Sequence, residues 1–280
     1  MKLRRYSPAI VLQTFLKHGF LIILSILMIY PLYYMVITSL KTRLEWLGNQ
    51  FGLPQAINLT NYVQVFVDGK LPLWFRNSIT VTTGSVILAT LVATLAAYAI
   101  SRFKFRGRVL FLNTMIALMV VPPSVLIVPL FILMVRVQLI NTLPGLMIIY
   151  VGLMIPFSIY LLVSFFRGLP PELFDAAAID GCSNFGVLWR IVLPLSAPAF
   201  ITLVVVNALY VWNELLLALV FLQGEEIKTL MPGLLMFKGH FFNNEAMVMT
   251  AAFLACLPMI LLYLFGQRWF VEGLVAGAVK

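Results

Sequence analysis

Charge is scarce in this chain. Of 280 residues only 10 are Asp or Glu and 19 are Lys or Arg, 10% in all, where soluble domains carry roughly 25%. With 62% hydrophobic residues and a mean hydropathy of +1.03, a water-soluble fold is excluded, and the bilayer has to be the solvent for most of the chain. Cysteine and histidine are nearly absent, with two of each. Cys182 falls in a polar loop and Cys256 inside an apolar run, so they are not placed to form a disulfide. His18 and His240 have no Cys or carboxylate at ligand spacing, and no metal site is expected. No G-x-x-x-x-G-K-[ST] phosphate loop occurs, and no Ser-His-Asp set or carboxylate pair stands out. These absences argue against an enzyme. Barrel strands would show ten-residue dyad alternation, which is missing too.

What is present is a series of apolar runs of about 20 residues, the length that crosses about 30 Å of hydrocarbon as a helix. Six are read, at about 20–40, 76–100, 109–134, 145–166, 198–222 and 246–266. The expected fold class is an all-α membrane protein with six transmembrane helices. The first run is longer than the core of a cleavable signal and no A-x-A-like site follows, so it is read as a retained anchor. The net charge is +9. With the N-terminus inside, twelve Lys and Arg lie on the inner side and seven on the outer, which favours both termini in the cytoplasm. The short loop with Arg102, Lys104, Arg106 and Arg108 contributes most to that bias. It reads as a topology anchor, or alternatively as a basic docking site.

Several stretches carry local signals. Asn58–Phe66 reads as a short interfacial helix with Leu59, Tyr62, Val63 and Phe66 on one face, or as a plain connector. Ala89, Ala93 and Ala97 form a small-residue stripe suited to close helix packing. Pro122, Pro123 and Pro129 predict a kinked third span, either lining a pathway or purely architectural. Asn207, Trp212, Asn213 and Glu214 put polar groups at membrane depth, for substrate in transit or for bonds between helices. Asn113, Tyr150, Asn207, Trp212 and Asn213 are the candidate pathway residues.

The most distinctive stretch is the polar loop after the fourth run. Pro170 and Pro171 suit a helix start, and Glu172 and Asp175 complement its dipole. Ala176, Ala177 and Ala178 favour helix with little bulk, and Gly181 suits a left-handed end after Asp180. Ser183 or Asn184 caps a second helix whose apolar face is Phe185, Leu188, Trp189 and Val192. Pro194 and Pro198 break it. Two short helices around a glycine hinge make an element fit to dock on a soluble partner or, alternatively, an interfacial helix lying on lipid, for which its two acidic residues and few lysines give weak attraction.

The spacing Asp175-Ala176-Ala177, three residues, Gly181, nine residues, Ile191-x-Leu193-Pro194 resembles the EAA loop of type I ABC importer permeases, with Asp175 where that family usually has Glu. The tail Gln267-Arg268-Trp269-Phe270-Val271-x-Gly273-Leu274-x-Ala276-Gly277-Ala278-Val279-Lys280 and the run Trp212-Asn213-Glu214 resemble the carbohydrate subfamily, the MalG-like permeases of maltose-type systems. The resemblance implies a type I permease fold with a cytoplasmic coupling-helix loop. It implies a coupling site at Glu172, Asp175, Ala176, Ala177, Asp180, Gly181, Ile191, Leu193 and Pro194. It implies a homologous, MalF-like companion permease, a dimer of ATP-binding subunits that hold the ATP-Mg, an external solute-binding protein, and a sugar substrate. The chain itself binds no cofactor and no nucleic acid in this reading. The setting would be a prokaryotic cytoplasmic (inner) membrane. The chain would divide into a cytoplasmic segment 1–19, a first helix and external loop 20–72, a permease domain 73–267 and a cytoplasmic tail 268–280. Two alternatives remain at this point: an ABC permease for an osmolyte, amino acid or phosphate ester, and an ion-coupled secondary transporter.

Overall fold

The structure is a computed structural model that describes residues 8–67, 70–240 and 244–278, with side chains from 12–67, 70–235 and 244–267. The side chains of Lys2, Arg4, Arg5, Lys238, His240, Arg268 and Lys280, and the tail motif beyond Gln267, lie outside the described residues. The helices are α1 (Pro8–Ser39), α2 (Arg43–Gly48), α3 (Thr60–Val67), α4 (Leu71–Arg102), α5 (Arg108–Leu118), α6 (Ile127–Arg136), α7 (Leu143–Phe166), α8 (Pro171–Ile179), α9 (Asn184–Val187), α10 (Leu193–Leu195), α11 (Ala197–Asn213), α12 (Leu216–Phe221), α13 (Leu230–His240) and α14 (Glu245–Ala278). No strand occurs among the described residues. Four helices are long and apolar enough to cross a membrane, or up to six if each of two bent pairs is one span.

The residues form two compact units, Met1–Gly69 with Phe237–Leu254, and Lys70–Met236 with Ala255–Lys280. In the first, α1 is bare along most of its length, and its buried side chains begin only near its end, at Ile37, Thr38 and Ser39. That end would leave carbonyls without partners. Asn61 of α3 supplies them: its Nδ2 donates to the Ser39 and Lys41 carbonyls at 2.9 and 2.8 Å. Lys41 is fully buried, and its Nζ donates to the Asn49 and Gln50 carbonyls. The short helix expected near 58–66 is α3: Leu59 just before it, Val63 and Phe66 are exposed, Asn61 and Val65 turn inward, and Tyr62 is half-buried with its hydroxyl 2.7 Å from Ser39 Oγ.

In the second unit α4 packs along α7. Ala89, Ala93 and Ala97 are completely buried, so the small-residue stripe is a packing seam. The loop before α13 is bolted to the start of α4. Trp74 Nε1 donates to the Glu225 carbonyl, Asn77 Nδ2 donates to those of Glu226 and Lys228, and Ser78 Oγ accepts from Leu230 N–H.

Two spans differ from expectation. The third is broken, not kinked: α5 and the Pro123–Arg136 segment meet at 96°. Pro122 and Pro123 lack N–H donors, and Pro123 forces Pro122 into an extended conformation, ψ 133°. Pro129 sits in the first turn of α6, where proline costs little. The fifth span ends at Asn213 rather than running to 222, because Glu214 turns extended, ψ 122°, and α12 starts afresh.

Two glycines of α7 test this packing with opposite signs. A Cβ on Gly145 would run into the Leu139 carbonyl oxygen, whereas one on Gly152 meets nothing within 4 Å. Gly145→Ala should destabilise the purified protein by about 2 kcal/mol or more. Gly152→Ala should be neutral or add about 0.5–1 kcal/mol through helix propensity. Unfolding midpoints in detergent read both.

Candidate coupling loop and membrane cavity

The loop after α7 folds as a hairpin of short helices. Pro170 and Pro171 begin α8, and Asp180 ends it. Gly181 has φ +70° with open space around it, so glycine there answers to the left-handed backbone and not to crowding. Of the two capping candidates it is Ser183 that acts, its Oγ accepting the Gly186 N–H at 3.1 Å. A π-turn at Leu188–Val192 and α10 follow, and the chain bends by 77° at Ser196 into α11. Pro194 and Pro198 cannot donate to carbonyls four residues back, which accounts for the irregular winding.

The hairpin has two sides. Phe174 and Ala177 of α8 are buried in one apolar cluster with Ala97, Tyr98, Leu162 and Phe166, the ends of α4 and α7. Val187, Leu188 and Val192 join the same cluster. Tyr98 adds a polar tie, its Oη donating to the Asn184 carbonyl at 2.9 Å. On the other side Glu172, Asp175, Ala176, Asp180 and Gly181 are exposed, as is Ile179 at 87%. Ile191 and Leu193 are half-buried and Pro194 is exposed. One expectation needs correcting: Phe185 and Trp189 do not share the inward face with Leu188 and Val192. They stand outside as a tilted ring pair, centroids 6.1 Å apart. Together with Ile179 they make the open side of the hairpin apolar as well as acidic.

A cavity of about 380 Å³ lies where the third span breaks, lined by Met119, Pro123, Met154, Phe157, Asn207 and Tyr210 among others. The five candidate pathway residues are not gathered there; only Asn207 lines it. Its Nδ2 also donates to Ser158 Oγ at 3.0 Å, a bond between α11 and α7. Tyr150 is buried and its Oη donates to Glu214 Oε2 at 2.8 Å. Glu214 in turn accepts the N–H groups of Leu217 and Ala218, capping α12. Trp212 donates to the Ala255 carbonyl, stands edge-on to Phe75, and borders a separate, mostly apolar cavity of about 480 Å³ between α4, α11 and α14. Asn113 and Asn213 are exposed. Tyr210 was not singled out from the sequence. Its spacing, three residues after Asn207 and hence on the same helix face, could have found it.

Helices throughout the described residues, broken spans, a mostly apolar cavity at one break that carries Asn207 and Tyr210, and a half-docked helical hairpin suit a membrane transport subunit. The structure of a bacterial ABC transporter involved in the import of the acidic polysaccharide alginate contains a chain that matches this fold with a TM-score of 0.81. The match covers 96% of this chain and all of that one at 23% identity. Residues 85–275 match the family described as binding-protein-dependent transport system inner membrane component, and the chain belongs to that family. Among relatives, the arabinooligosaccharides transport system permease protein AraQ of Halalkalibacterium halodurans is 31% identical over 281 residues, 99% of each chain. The sulfoquinovosyl glycerol transport system permease protein SmoH of Agrobacterium fabrum is 36% identical, covering 90% of this chain and 89% of that one. The trehalose/maltose transport system permease protein MalG of Thermococcus litoralis is 32% identical, covering 92% and 94%.

The Tyr150–Glu214 network predicts a graded series. Glu214→Ala strands a buried hydroxyl and two N–H groups and should destabilise by about 2–3 kcal/mol, while Tyr150→Phe, which removes one bond, should cost about 1 kcal/mol. Equal effects in a thermal unfolding assay would contradict this arrangement.

Proposed function

We propose that this chain is one of two permease subunits of a binding-protein-dependent ABC importer for a sugar or oligosaccharide, and that the α8–α10 hairpin couples it to a cytoplasmic ATPase. The observation that carries this reading is the two-sided hairpin. Its inner side is packed into the ends of α4 and α7, and its outer side offers Glu172, Asp175, Ala176, Asp180 and Gly181. An element held by its own bundle and open on the opposite face transmits force applied to that face. In this reading a cleft on an ATP-binding subunit grips the open side. Closure of the ATPase dimer, which holds the ATP-Mg, displaces α8. Phe174 and Ala177 pass the displacement to α4 and α7, and the stretch through Ile191, Leu193 and Pro194 passes it to α11.

The break of the third span and the cavity beside Asn207 form this chain's half of the pathway, with Tyr210 on its wall; Tyr150 and Trp212 brace the helices behind it through Glu214 and Ala255. Asn113 and Asn213 face a homologous companion permease that supplies the other half. An external binding protein delivers the solute. The relatives named for oligosaccharide, glycoside and disaccharide transport support a sugar over an osmolyte, amino acid or phosphate ester. The chain carries no phosphate-loop motif, in keeping with a transport subunit whose ATP is hydrolysed elsewhere. The permease domain would be 73–267, after a cytoplasmic segment 1–19 and a first helix with its external loop 20–72. A cytoplasmic tail 268–280 follows.

Two measurements test this. In nanodiscs, the complex purified with its genomic neighbours should hydrolyse ATP faster when sugar-loaded binding protein is added. Asp175→Lys and Gly181→Val should keep the complex assembled yet lower that stimulation at least tenfold; unchanged stimulation would rule the hairpin out as the lever. For orientation, Lys104→Cys in a background lacking Cys182 and Cys256 should react with an impermeant maleimide in inside-out vesicles and not in right-side-out ones. The reverse pattern would place the hairpin outside.

A further inference from the structure

Beside the buried side of α8 lies a smaller cavity of about 200 Å³, lined by Tyr98, Arg102, Arg167, Leu169, Phe174 and Val192 among others. Two of these side chains are guanidinium groups. Arg102, the last residue of α4, lies over the Phe174 ring, 4.6 Å from its centroid, which holds the cation in place. Arg167 directly follows α7. Neither forms an ion pair among the described residues, and Glu172 at the start of α8 pairs with neither of them. Two like charges facing one small cavity repel each other. A guanidinium plane binds the oxygens of a phosphate through two parallel hydrogen bonds. Phe166, Leu169, Pro171, Phe174 and Val192 make the apolar part of the wall, and the two hydroxyls that complete it, of Tyr98 and Ser101, donate to the Asn184 and Ala97 carbonyls. Both arginines mark the ends of long apolar spans, Leu71–Arg102 and Leu143–Phe166, which is headgroup depth in a bilayer.

We propose that this pocket binds the phosphate of an anionic phospholipid headgroup. The phosphodiester bridges Arg102 and Arg167, and the glycerol end lies along the apolar wall. Lys104, Arg106 and Arg108 on the adjoining loop strengthen the attraction of this region for an anionic leaflet. Because Phe174 is both the platform for Arg102 and the inner anchor of α8, an occupied pocket steadies the hairpin against the bundle. That consequence rests on the reading of α8 as the lever; the binding itself does not.

The test uses the assembled complex in nanodiscs of phosphatidylcholine with and without phosphatidylglycerol. Retained lipid is read by native mass spectrometry, and ATP hydrolysis is read with loaded binding protein. Phosphatidylglycerol should be retained over phosphatidylcholine, and Arg102→Gln and Arg167→Gln should each weaken retention about fivefold, the scale of one basic side chain at an anionic surface. Arg102→Lys should keep part of the preference, and Arg136→Gln, far along the sequence from this pocket, should keep all of it. Equal retention in both Gln variants overturns the proposal. Displacement of the lipid by millimolar inorganic phosphate assigns the pocket to free phosphate and overturns the lipid. Loss of the ATPase subunits from the Gln variants makes the pocket a protein contact and overturns it too. If lipid binding follows the arginines while stimulation is indifferent to lipid, the site stands and its steadying of the hairpin is overturned.

Discussion

Close backbone packing of α4 against α7, permitted by Ala89, Ala93 and Ala97, governs the arrangement of the second unit. A larger side chain at any of the three would push the helices apart. In a bilayer there is little hydrophobic drive between helices to pull them back, so close van der Waals fit has to do it. The seam brings Tyr98 of α4 level with Phe166 of α7. Together they make the floor into which Phe174, Ala177, Val187 and Leu188 insert. The hairpin therefore sits on the ends of two helices at once.

The irregular points of the chain are its two broken spans. At 119–122 and at Ser196 the chain turns by 96° and 77°, and both places owe it to prolines that withhold N–H donors. Backbone groups freed at membrane depth are tolerated where they meet protein or a watery cavity. The cavity holding Asn207 and Tyr210 is bounded by the first of these breaks. The second break separates the hairpin from α11, so the helix that lines the cavity starts where the hairpin ends.

Much of this was legible in the sequence, for local reasons. Apolar run length placed the spans, four-residue alanine spacing marked the seam, and Pro170-Pro171 with Gly181 bracketed α8. What stayed hidden depends on partners distant in the chain. The run 198–222 reads as one helix because Leu215–Phe221 is as apolar as what precedes it. Only the capping of α12 by Glu214, with Tyr150 donating to the same carboxylate, shows why it divides. Three prolines signalled a bend in the third span but not its size. Trp212 and Tyr150 looked like sugar-facing groups, yet their polar atoms are satisfied by Ala255 and Glu214. Phe174 gave no sign in the sequence of being the inner anchor of the hairpin, since one phenylalanine in a helix points wherever the bundle offers a floor. The burial of Lys41, satisfied by two carbonyls across a turn, was equally invisible.

The central claim is that the hairpin works because Phe174 keys it to the bundle, and sugar uptake by the Phe174→Ala complex tests it most directly. Uptake into proteoliposomes and ATP hydrolysis would be followed in the same preparation, with loaded binding protein outside. The account predicts an assembled complex that still hydrolyses ATP while uptake per ATP falls at least tenfold, because the ATPase then moves a loosened lever. Uptake per ATP equal to that of the unaltered complex would contradict it, and would mean that force reaches the pathway by another route.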